Sequence, residues 1–153
     1  MLVMNNLNEA IAKAAINRSH LIFLPNSLKQ DIEVPVIDLN KVLSEQLIDL
    51  PRAHRPKSII NQFKKLIDNV NKDEIFIDGI QILFDRSLAI EPLSLLKSCS
   101  MNKILMVCWP GNKTSTSLSY GIPSHPEYRV YKKSDLEDIV YLDLDVHLNR
   151  GML

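Results

Sequence analysis

Glycine is nearly absent from this chain. Four occur in 153 residues, Gly79, Gly111, Gly121 and Gly151, so none lies in the first 78. A loop that wraps a phosphate needs glycine, because its backbone N–H groups must converge without Cβ atoms in the way. Neither G-x-x-x-x-G-K-[ST] nor G-x-G-x-x-G occurs anywhere. Whatever the chain folds into, it has no ordinary glycine-rich nucleotide cradle.

Length and composition narrow the field further. A chain of 153 residues suits a single domain spanning 1–153 and buries roughly 68–70% of its unfolded surface, so no disulfide or structural metal is required. Lys+Arg and Asp+Glu both number 18, which disfavours a nucleic-acid binder that relies on bulk positive charge. Cys99 and Cys108 fit no zinc spacing and no disulfide framework, and a reducing cytoplasm is expected. No apolar run approaches 18 residues, so no membrane span is predicted. The early Asn5, Asn6, Asn8 and Glu9 do not make a signal peptide.

Apolar runs alternate with helical patterns. Residues 5–18 place Leu7, Ala10, Ile11, Ala14 and Ala15 on one helical face. Leu21–Leu24 reads as a buried strand ended by Pro25, and residues 34–39 as a second strand. The eight residues between, 26–33, are short for a crossover helix and predict a loop or one helical turn. Asn40 is the expected cap of a helix over 41–50, ended by Pro51. Pro56 opens the next helix, in which residues 59–70 keep helical spacing. Glu74–Asp78 and Ile104–Trp109 read as buried strands and Pro92–Ser100 as a helix. Residues 110–126, rich in Pro, Gly, Ser and Thr, predict an ordered loop. Tyr128–Tyr131 and Ile139–Val146 predict late strands, whose alternation, with Asp143 and Asp145 facing away from Leu142, Leu144 and Val146, suggests a sheet edge. The pattern predicts a three-layer α/β domain with a mostly parallel sheet.

Few residues offer chemistry. Ile75-Phe76-Ile77-Asp78 has the form of a Walker B strand, which delivers a carboxylate to the water shell of a nucleotide-bound Mg²⁺. A buried strand ending in the turn dipeptide Asp78-Gly79 is the plainer reading. Three residues on, where a hydrolase could place a Glu, stands Gln81; an amide orients water but cannot take its proton. Lys29 lacks a glycine cradle and reads as a surface lysine. His20, His54, His125 and His147 have no metal-ligand spacing, and no metal is expected. Both cysteines read as core thiols. Charge is uneven: 52–65 holds Arg52, Arg55, Lys57, Lys64 and Lys65 without an acid, and 135–145 holds Asp135, Glu137, Asp138, Asp143 and Asp145 without a base. Such faces can dock phosphate or complementary proteins, or be ordinary solvated surface.

Four blocks carry a family resemblance: 39–56 with Leu39-Asn40, Leu43–Pro51 and Arg55-Pro56; Ile77–Asp85; Glu91–Leu96 leading through Met101-Asn102-Lys103 to Trp109-Pro110-Gly111; and Tyr120–Arg129. On these the chain resembles BrxF, the small P-loop protein family of type III BREX (bacteriophage exclusion) defence systems. The resemblance implies a degenerate P-loop NTPase-like, AAA-like fold, with Asp78 and Gln81 as a vestigial Walker B. The family's Walker A loop would fall at Pro25–Glu33, which is short and without glycine, and the expected acid is Gln81. With two parts of an ATPase site missing, no catalytic residue and no cofactor is expected. The resemblance implies a non-enzymatic scaffold or regulatory subunit of the defence system. Its partners would be the system's methyltransferase, helicase, phosphatase-like protein or large ATPase. DNA would be reached only through that assembly, and self-association stays open. The alternatives are a nucleic-acid adaptor using 52–65, and a nucleotide binder with an atypical phosphate site.

The segment from Pro110 to Tyr131 is too patterned for a passive connector. If extended, it puts His125, Glu127 and Arg129 on one side, either pinning the loop to the domain or facing a partner. Arg52 and Arg55 sit at an exposed turn between two helices, and Arg55 is expected to meet a carboxylate within the fold or on a partner.

Overall fold

The computed structural model describes residues 1–25 and 36–143. The expected loop at 26–33, Lys29, and the last residues of the expected 139–146 strand lie outside that range. Strand β1 (Leu2–Met4) leads into helix α1 (Leu7–Ile16), and β2 follows at Leu21–Pro25. Strand β3 (Val36–Asp38) runs straight into α2 (Leu39–Leu47), then α3 (Arg55–Asn69) and β4 (Glu74–Asp78). Helix α4 (Pro92–Cys99) precedes β5 (Ile104–Trp109). A small insert of β6 (Asn112–Lys113), β7 (Leu118–Tyr120) and β8 (Arg129–Tyr131) precedes β9 (Val140–Leu142).

Among the described residues the main sheet has six strands in the order β1-β9-β2-β5-β4-β3, and every neighbouring pair is parallel. Interior strands of such a sheet are covered on both faces, so they read as unbroken apolar runs. Alternate residues go to opposite layers. Leu21, Phe23, Ile75, Ile77, Leu105 and Val107 pack with α2, α3 and α4, while Ile22, Leu24, Phe76, Met106 and Cys108 pack on the side of α1. Helices therefore lie on both faces, as the alternating pattern predicts. Helix α1 contributes Ala10 and Ala14, small enough to bring its backbone close to the sheet. Helix α3 buries Ile59, Phe63 and Ile67 at successive i+4 positions. Its last carbonyls, Ile67 and Val70, accept from the Lys103 ammonium, which also sets a positive charge at the negative helix end.

Three expectations need correction. The last strand is not an edge: β9 is buried along its whole length between β1 and β2, and the edges are β1 and β3. Leu2-Val3-Met4 is too short to show a period, yet it pairs with Val140-Tyr141-Leu142 and takes the outer position. Asp143 lies just past the end of this strand, and the remainder of the alternation lies outside the described residues. Second, Arg129–Tyr131 is a strand of the separate antiparallel sheet β6-β7-β8, not of the main sheet. Third, the cap of α2 is Asp38, whose Oδ1 accepts from the Lys41 N–H at 3.2 Å, and Asn40 lies within the helix. An aspartate closing β3 serves at once as strand end and helix start.

Candidate functional site

In an open parallel sheet, ligands bind beyond the carboxyl ends of the strands, where connections from adjacent strands leave in opposite directions. Here those strands are β2, which leads on toward β3, and β5, which leads back to β9. Asp78 closes β4 next to them. Its Oδ1 accepts from the Gly79 N–H at 2.9 Å, the turn that the dipeptide predicts. Gly79 has φ +71°, and a Cβ there would lie 2.6 Å from Asp38 Oδ1. Left-handed backbone and close approach both demand glycine at this point. The chain then enters a 3₁₀ turn over Ile80–Phe84 that buries Ile80, Leu83 and Phe84 and leaves Gln81 at the surface.

Asp78 and Gln81 meet Pro25, Trp109 and Tyr141 around a cleft of about 230 Å³. That is below the ~300–1,000 Å³ of ordinary ligand pockets. Cys108 is buried in its wall. Cys99 is also buried, and burial pushes its thiol up to about 11, so both are the core thiols expected. Among the described residues no group of three or more His, Cys, Asp or Glu is placed to hold a metal, and no helix is long and apolar enough to cross a membrane.

A second hollow, a groove of about 440 Å³, lies on the other side of Gln81. Helix α2 lends it Asn40, Ser44 and Leu47, and Ile48 follows just past the helix end. Arg55, at the start of α3, faces the turns after β4, which supply Gln81, Asp85 and Leu88. Tyr120 and Glu127, from the antiparallel insert, close it. Arg55, Gln81 and Glu127 were each singled out in the sequence, and the fold brings them together. Asn40, Ser44, Asp85 and Tyr120 carried no sequence signal for this site. The carboxylate of Asp85 already accepts from the Ser87 N–H and hydroxyl, at 2.9 and 2.7 Å, which caps a 3₁₀ turn. Burial, and then the charge of Glu127, raise the Tyr120 hydroxyl above its usual range.

Arg55 donates from Nε to the Leu50 carbonyl at 3.1 Å. No carboxylate among the described residues pairs with it, so of its two expected partners the one within the fold is excluded there. Arg52 stands exposed on the 3₁₀ turn Arg52–His54 and does not join the groove. Lys57, Lys64 and Lys65 are exposed along α3.

The insert is held by aromatic packing. The Trp109 indole packs edge-on against Phe23, Phe84 and Tyr131, with centroids 5.2, 5.8 and 6.0 Å away. Its Nε1 donates to the Ser119 carbonyl at 3.1 Å. The same carbonyl would meet a Cβ on Gly111 at 1.8 Å, so only glycine lets the two backbones come this close. Phe84 stacks on Tyr120 at 4.0 Å. Tyr131 donates to Glu91 Oε1 at 2.6 Å, and burial followed by that bond raises its hydroxyl far above the ordinary range.

The stretch that holds His125, Glu127 and Arg129 is not extended, so its spacing of two does not align the three. A turn forms instead of an extended run: the N–H groups of His125 and Tyr128 bond to the carbonyls of Ile122 and His125. The Glu127 N–H donates to His125 Nδ1 at 3.2 Å, so His125 closes its own loop. Glu127 lines the groove, with its Oε2 3.9 Å from His125 Nδ1. Arg129 alone enters the strand and pins it to the domain, donating to the Ile90 carbonyl at 3.3 Å and lying 3.6 Å from Glu91 Oε1. Within the acidic stretch, Asp138 is also structural, accepting from the Ser19 hydroxyl at 2.6 Å and pairing with Lys97 at 3.3 Å.

These features define a parallel α/β domain with a carboxylate at the carboxyl end of β4 and two hollows that share Gln81. No protein-family model matches the chain, and no curated protein or solved structure matches it at a significant level.

Proposed function

We propose that this chain is a non-enzymatic scaffold or regulatory subunit of a BREX-type anti-phage assembly, built on a degenerate P-loop ATPase-like domain. The observation that carries this reading is the Asp78 cleft. It lies where an ATPase of this layout would hold its nucleotide, yet it is small, has Gln81 where an acid is expected, and follows 78 residues without glycine. The strand order supports the fold: with the outer β1 set aside and counting from β2, the five remaining strands run fifth, first, fourth, third, second, with Asp78 closing the third. An AAA-like core has this order, with one strand between that of the phosphate loop and that of the Walker B acid. Losing the phosphate loop while keeping the scaffold suits a binding role.

The partners proposed are the system's methyltransferase, helicase, phosphatase-like protein or large ATPase, met in the cytoplasm through protein–protein contacts. Affinity purification of the full chain from cells carrying such a system, with mass spectrometry, tests this. Enrichment of one of these four supports the reading, and their absence from the eluate counts against it. A nucleic-acid adaptor remains the second reading, because Arg52, Lys57, Lys64 and Lys65 are all exposed around the start and outer face of α3. Its binding would weaken steeply with salt, with a log–log slope of at most about five for the five cations of 52–65.

A further inference from the structure

We propose that the groove between α2 and the turns after β4 docks a short partner polypeptide segment that presents a carboxylate beside an apolar side chain, with a basic residue nearby. This deepens the scaffold reading and rests on it for the partner's identity, though the groove's chemistry stands by itself. Three ionic side chains line the groove, and none is paired with another. Arg55 is held through Nε by the Leu50 carbonyl, and no group among the described residues accepts from its terminal nitrogens. That bond fixes the guanidinium plane and leaves the outer fork for a carboxylate, which it fits in a bidentate way. Asp85, which accepts from Ser87 through Oδ1, and Glu127, whose Oε2 lies 3.9 Å from His125 Nδ1, also line the groove, and neither has a Lys or Arg partner among the described residues.

Charge complementarity selects the occupant. A nucleic acid or nucleoside polyphosphate would gain one arginine and meet two carboxylates, which repel it. A polypeptide can place one acid at Arg55 and a lysine or arginine at Asp85 and Glu127. The apolar part of the match is present too. Ile48, at the rim, is 74% exposed, and the buried Leu47 and Leu88 form the groove wall beside it. The volume, about 440 Å³, falls within the ~300–1,000 Å³ of ordinary ligand pockets.

The test pans a phage-displayed library of random twelve-residue peptides against the full-length protein, then titrates a synthetic copy of an enriched peptide. The expected result is enrichment of segments with an acid beside an apolar residue, and binding weakened at least about tenfold by Arg55→Ala. Arg55→Lys, which keeps the charge but not the fork, and Ile48→Asp, at an exposed position, should each weaken binding several-fold with an unchanged melting temperature. Arg52→Ala should leave it unchanged. The proposal is overturned if no peptide is enriched, if enriched peptides bind Ile48→Asp and Arg55→Lys as tightly as the parent, or if a single-stranded oligonucleotide binds at physiological salt and is lost with Arg55. The library contains no defence component. Peptide binding without co-purifying partners would therefore sink the defence reading and leave the groove standing.

Discussion

The two hollows beside Gln81 differ in what their walls are for. Around Asp78 the lining groups are committed: its carboxylate accepts from the Gly79 N–H, and Trp109 is locked among three aromatic rings and bonded to Ser119. Around Arg55 the polar groups have local partners, Leu50 for the guanidinium, Ser87 for Asp85 and His125 for Glu127. No Lys or Arg among the described residues meets a carboxylate there, however, so the guanidinium and the two carboxylates line one groove without neutralising one another. Buried groups that satisfy each other stabilise a fold, whereas unpaired charges at a groove are available to a partner. Substitutions in the two hollows should therefore part company, costing stability in the first and binding in the second.

The largest effect is expected at Trp109→Ala, which removes the ring that joins β5, the 3₁₀ turn after β4 and the insert. It should cost about 3–5 kcal/mol, read as a lower urea midpoint, with loss of the insert's near-ultraviolet signal. Gly79→Ala comes next. It forces a left-handed backbone on alanine and drives a Cβ against Asp38, and should cost about 2 kcal/mol in the same measurement. Arg129→Ala should cost about 1 kcal/mol, seen as a melting temperature lower by roughly 2–4 °C. A full loss of partner binding with an unchanged melting temperature would move Arg129 from the structural side of the comparison to the binding side.

The smallest effect is acid sensitivity. Burial alone would raise the Asp138 carboxyl, but the Ser19 hydroxyl and Lys97 outweigh it and hold it below its ordinary value. A carboxyl depressed in the folded state adds stability that is present above the unfolded value, about 3.9. That stability is lost as pH falls through the folded value. The melting temperature of Asp138→Asn should be lower than that of the parent at pH 6, and the two should converge as pH drops below about 4. Parallel curves would remove Asp138 from the ion pair.

The central strands were legible because an interior parallel strand is apolar on both faces, and Leu21–Leu24, Ile75–Ile77 and Ile104–Trp109 each announce themselves. Helix starts were legible where proline sits in the first turn, at Pro56 and Pro92. Strand β1 was not, because three residues carry no period and its position depends on pairing with Val140 near the other end of the chain. The antiparallel insert was hidden for the same reason, since strands of two or three residues look like loop. At the site, Asp78 and Gln81 followed from their place after an apolar run. The meeting of Arg55 with Glu127 depends on the insert reaching the same groove as the start of α3, which no local pattern encodes.

The claim that the Asp78 cleft has lost nucleotide chemistry is tested most directly by titrating the full-length protein with ATP and Mg²⁺ in a calorimeter. The account predicts no saturable heat at micromolar protein, and none for Gln81→Glu, since an added acid does not restore a phosphate loop. Saturable binding in the parent, abolished by Asp78→Ala, would contradict it.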